Sequence, residues 1–139
     1  MEKISRNQEN FIIMTVIYDE LSDFTANQGT FRDVNEIILQ ITDIPLNEHS
    51  HYVQNCIANV LSHYGEIVNA FQPHLRDWKW ERLPLLTQAV LLMSYAHFYL
   101  VEKVDKRIVI NVAVELAKKY IEEKQAKFIN AILDEVLNG

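Results

Sequence analysis

Six basic side chains fall within residues 106–127: Lys106, Arg107, Lys118, Lys119, Lys124 and Lys127, against Glu115, Glu122 and Glu123. Such a cluster could neutralise phosphates, or it could be a solvated helix face laced by i,i+4 pairs such as Glu115–Lys119 and Glu123–Lys127. Other chemistry-bearing residues converge less. His49 and His51 follow Glu48, but residues two apart on a helix diverge, so the spacing predicts surface residues at a helix start and no metal site. His97 stands in a charge-free stretch with no carboxylate at i±3 or i±4 to orient it, so it reads as a core or edge histidine. The one cysteine, Cys56, reads as a small buried hydrophobe and excludes an internal disulfide. Adjacent carboxylates, Asp19–Glu20 and Glu122–Glu123, point apart. Three glycines are too few and too scattered for a phosphate loop. Neither a catalytic centre nor a cofactor site is expected.

These side chains must be carried by helices. The chain has 139 residues, 49% hydrophobic and 23% charged, which suits one globular domain spanning 1–139. Three glycines and three prolines could not supply the turns of an all-β domain. Helical spacing recurs over 4–25, with Ser5 as its cap and Gly29 as its stop, and over 31–42, ended by Ile44-Pro45. Over 48–70 the residues Val53, Ile57, Val60, Tyr64, Ile67 and Phe71 form one packing stripe. A connector over 72–82 holds Trp78 and Trp80, expected to clamp it to the bundle. Further helices fit 83–101, 107–121 and 125–137. The segment Leu83–Val101 carries no formal charge, but Pro84, Thr87, Gln88, Ser94 and His97 dilute its apolarity. It therefore predicts the buried central helix of a bundle and no membrane span.

Charge is uneven. Residues 1–71 hold three bases against ten acids, net −7; residues 72–139 hold ten against nine, net +1. A chain of net charge −6 repels phosphate at long range, so any nucleic-acid contact needs a local basic face. The N-terminus lacks a basic start followed by an apolar run, and cysteines are not paired; both point to the cytoplasm.

Four blocks of the second half occur in a recognisable order: Trp80-x-Arg82-Leu83, Ala89-Val90-Leu91, Val109-Ile110-Asn111-x-Ala113-Val114-Glu115-Leu116-Ala117-Lys118, and Lys127-Phe128-Ile129-Asn130-x-Ile132-Leu133-Asp134. With Ser5-Arg6 before a helix ending Val16-Ile17-Tyr18, the chain resembles the NusB family of bacterial antitermination factors. The resemblance implies an all-α bundle of six to seven helices and no enzymatic activity. It also implies binding of single-stranded boxA-like RNA together with the ribosomal protein NusE within the transcription complex. At the matching positions it assigns RNA contacts to Lys3, Arg6, Lys118, Lys127 and Phe128, and partner contacts to Tyr18 and Thr87. Phe128 would stack on an unpaired base and the cations would meet phosphates.

Several polar positions depart from the family pattern. An arginine-rich start is reduced to Ser5-Arg6-Asn7-Gln8-Glu9-Asn10, Leu92 stands where arginine is usual, and Thr87 replaces an acid. Each lost phosphate contact should lower RNA affinity and flatten its salt dependence. The alternative reading is a protein-interaction module of the same fold, homodimeric in one version.

Overall fold

The computed structural model describes residues 4–76 and 78–138. Seven α-helices account for most of them: α1 (Arg6–Phe24), α2 (Val34–Thr42), α3 (His51–Ser62), α4 (Tyr64–Phe71), α5 (Leu85–Ala96), α6 (Lys106–Tyr120) and α7 (Glu123–Val136). No strand occurs among the described residues. The uncharged segment forms the axle: α5 packs against α1, α3, α4, α6 and α7. Ala89, Val90, Leu91 and Leu92 are wholly buried, which only a helix surrounded on every side allows. No helix of the described residues is long and apolar enough to cross a membrane.

Local chemistry sets the boundaries. Ser5 opens α1 with a reciprocal cap: its Oγ accepts from the Gln8 N–H at 3.1 Å, and Gln8 Oε1 accepts from the Ser5 N–H at 2.8 Å. Beyond α1 the chain reverses at Gly29, whose φ of +79° lies in the left-handed region, as its N–H donates to the Phe24 carbonyl at 2.8 Å. Asp43 ends α2 with φ +61°.

Several expectations are corrected. The stripe over 48–70 packs as read, with Val53, Ile57, Val60, Ile67 and Phe71 buried, but the helix is broken at His63 (φ −116°, ψ 19°) into α3 and α4. Gly65, the weakest helix former in the stretch, lies just past the break. Pro84 is the N-cap of α5 and precedes its first turn. The helix expected to run to 101 passes after Ala96 into a π turn, His97–Val101, in which the Glu102 N–H meets the His97 carbonyl, five residues back. Within the connector Trp80 is buried and clamps as expected, whereas Trp78 is 58% exposed. The histidines also divide: His51 is exposed, but His49 is buried, its Nε2 3.1 Å from both Thr42 Oγ1 and the Ile44 carbonyl oxygen, and it secures the end of α2.

Candidate nucleic-acid interface

The start of α1 faces two ways. Asn7, Asn10 and Phe11 share one face at i, i+3 and i+4, and that face meets the C-terminal end of α6. The Phe11 and Tyr120 rings lie 4.9 Å apart at 43°, and Lys119 Nζ sits 5.5 Å from the centre of the Tyr120 ring. Between the helices runs a cleft of about 310 Å³ whose walls include Asn7, Asn10, Asn111, Glu115, Lys119 and Tyr120. A second cleft of about 390 Å³ shares Asn7, Lys119 and Tyr120 and reaches across Phe11 to Ile41 and Ile44.

Cations gather where α6 turns into α7. Lys118 and Lys119 occupy the last turn of α6, where the helix dipole favours positive charge. Lys124 and Lys127 follow within the first two turns of α7, across the Ile121–Glu122 connection. Among the described residues these four lysines enter no ion pair, whereas Arg6, Arg32, Arg76 and Lys106 each face a carboxylate within 4 Å. An exposed, unpaired ammonium next to aromatic faces and asparagine amides can hold a phosphate while a base stacks or hydrogen-bonds beside it.

The other side of the α1 start carries Arg6, and there the charge is already matched. Arg6 Nη1 donates to Glu102 Oε1 at 3.2 Å, Nε faces Glu9 Oε1 at 3.4 Å, and Cζ lies 3.7 Å above the Tyr52 ring. Tyr52 in turn donates its hydroxyl proton to Asn10 Oδ1. Glu102 Oε1 is also 2.9 Å from His97 Nε2. The His97 hydrogen bond, helped by Arg6, holds the Glu102 carboxyl below its usual range, and burial lowers the pKa of His97. A carboxylate for His97 does exist; it sits at i+5, the spacing of the π turn. Cys56 is buried behind this cluster, and burial pushes its thiol pKa up to about 12, which makes it inert.

The remaining assigned residues scatter. Lys118 and Lys127 are exposed at the α6–α7 turn, and Lys3 lies outside the described residues. Phe128 is half-buried against the core. Tyr18 is 36% exposed and seven residues beyond Phe11, so both lie along one face of α1. Thr87 cannot offer a surface contact. It is wholly buried, and its hydroxyl donates to Gln125 Oε1 at 2.8 Å, joining α5 to α7. Phe11 and Tyr120 were not singled out by sequence reasoning. The available signal was an aromatic at the edge of each helix's apolar stripe, and such residues usually pack inward.

The described residues thus form an all-helical bundle with an open polar and aromatic cleft, and with four exposed lysines that enter no ion pair among them at the α6–α7 turn. The chain matches the profile of the NusB family over residues 12–138. It is 34% identical over 134 residues to the transcription antitermination protein NusB of Finegoldia magna, covering 96% of this chain and 94% of that one. It is 31% identical over 111 residues to the same protein of Listeria monocytogenes, covering 78% and 87%. Among solved structures, NusB of T. maritima superposes with a TM-score of 0.79 at 20% identity, over 97% of this chain and 92% of that one. Antitermination factors NusB and NusE in complex with dsRNA give a TM-score of 0.74 at 19% identity, over 94% of both chains. These two likenesses are of fold. The chain belongs to the NusB family.

Proposed function

We propose that this chain is a transcription antitermination factor of the NusB type that binds single-stranded, boxA-like RNA together with NusE. On nascent RNA its place would be the cytoplasm, and its work is binding and not catalysis. The reading is supported by its curated relatives, which are named transcription antitermination proteins, and by the fold it shares with a NusB crystallised with NusE and RNA. The observation that carries it is Lys119, which lines the Asn7–Asn111 cleft over Tyr120 and enters no ion pair among the described residues, with Lys118, Lys124 and Lys127 following it around the α6–α7 turn. Lys118 and Lys127 would neutralise phosphates, with Lys3 adding to them from the chain's start. Phe128 would offer its exposed edge to a base, and Tyr18 would face the protein partner.

The test is fluorescence anisotropy with a boxA-type single-stranded RNA, with and without NusE, across a salt series. Lys118→Ala and Lys127→Ala should each weaken binding and reduce the salt slope by about one. Absence of binding at low salt, both with and without NusE, would overturn the reading.

A further inference from the structure

Arg6 cannot serve RNA as an ordinary phosphate contact. Two carboxylates, Glu9 at 3.4 Å and Glu102 at 3.2 Å, already face its guanidinium edge. The three groups sum to −1, and burial of the nearby His97 disfavours the protonated form that would offset this charge. A phosphodiester brought to this edge would meet two like charges for one opposite charge.

What the arrangement leaves available is a plane. Tyr52 covers one face of the guanidinium at 3.7 Å, and the Arg6 side chain stays 52% exposed. Arg6 and Tyr52 both line a cavity of about 630 Å³, whose walls also include Ser50, His51 and Asn55 at the start of α3 and Val101 from the π turn. Glu9 and Glu102 fix the plane from the side, and Tyr52 is fixed from below by its hydrogen bond to Asn10. A delocalised cation with a pinned edge and an open face is suited to an aromatic ring lying flat on it.

We propose that Arg6 and Tyr52 form a stacking platform for one unpaired nucleobase, with Ser50, His51 and Asn55 placed to hydrogen-bond its edge. The proposal rests on the RNA-binding reading above and adds a second base site, on the α3-facing side of α1, one helical turn from the Asn10 wall of the α6 cleft. Arg6 then acts through its face, and its charge is spent within the protein.

The test uses the full chain and a boxA-type single-stranded RNA in which each nucleotide in turn is made abasic. For the unaltered protein, one position should cost about tenfold in affinity through lost stacking on Arg6. In Arg6→Ala the intact RNA should bind about tenfold more weakly, that abasic position should cost nothing further, and the salt slope should stay unchanged. Arg6→Lys, which keeps the charge without the plane, should behave like Arg6→Ala. Far-UV circular dichroism confirms that both variants are folded. A salt slope lower by about one in Arg6→Ala, with Arg6→Lys restoring affinity, would make Arg6 a phosphate contact and overturn the platform alone. The platform also falls if no abasic position loses its penalty in Arg6→Ala. If the unaltered protein binds no RNA at low salt, platform and RNA reading fall together.

Discussion

Each end of α1 holds a glutamate against the bundle, and the two are in opposite electrostatic states. At the N-terminal end Glu102 meets Arg6 and His97, stays 40% exposed, and is held below the usual carboxylate range. At the C-terminal end Glu20 is wholly buried. Its Oε1 accepts from the Arg32 backbone N–H at 2.7 Å, and its Oε2 has no hydrogen-bond partner among the described residues. The Arg32 guanidinium is engaged with Asp23 at 2.9 Å. Burial therefore outweighs the single hydrogen bond and raises the Glu20 pKa to about 6. The same side chain stabilises where cations share its charge and costs stability where only a backbone amide does. The first end resists change because its members satisfy one another. The second anchors the 25–33 loop through a group that prefers to carry a proton.

The largest effect expected is at the paired end. Tyr52→Ala removes the ring beneath Arg6 and leaves Asn10 Oδ1 without its donor, at a cost of about 3–5 kcal/mol. A urea melt reads it, and a loss below 1 kcal/mol would mean that the cluster is not a structural unit. Next comes Glu20→Gln. An acid whose folded pKa, about 6, lies above its ordinary 4.5 holds its proton longer in the folded state. Its cost is absent below pH 4.5, grows between 4.5 and 6, and is complete above 6. Glu20→Gln should thus match the parent at pH 4 and exceed it by about 1–2 kcal/mol at pH 8. Thermal melts at the two pH values check this, and equal stability at pH 8 would remove the contrast between the ends. Glu102→Gln should show the reverse sign with a smaller size. Its lowered pKa means a contribution present above the ordinary value and lost as pH falls through the folded one. With the carboxylate 40% exposed, the loss at pH 7 should be about 0.5–1 kcal/mol and should shrink towards pH 3. Parallel pH curves for the two glutamine variants would break the comparison outright.

The two ends were not equally legible. Ser5 ahead of an apolar run announces the start of α1, and Gly29 announces the reversal after it; both signals are local and both hold. The His97–Glu102 pair was invisible because a search for partners at i±3 and i±4 assumes 3.6 residues per turn. The π turn widens the spacing to five. The buried state of Glu20 was equally hidden. An acid beside Asp19 on an amphipathic helix looks solvated until α2 and its loop close over it. Arg6 was correctly noticed as a cation near a helix start, but not as one already neutralised by Glu102, 96 residues away. Thr87 sits within an apolar helix and was assigned a surface role from the resemblance, yet the helix is surrounded, so its hydroxyl turned inward to Gln125.

By itself the sequence determined the helices, their apolar stripes and the charge-free axle, because periodicity and capping are written in neighbours a few residues apart. It also carried the family, in four blocks whose order and spacing survive the loss of surface arginines. Only the tertiary structure decided which charges are free and which are spent. An ion pair or a stacked ring depends on distances between segments remote in the chain, and no local pattern encodes those distances. Four lysines at the α6–α7 turn stayed available, and Arg6 did not, because only the latter was folded against two carboxylates.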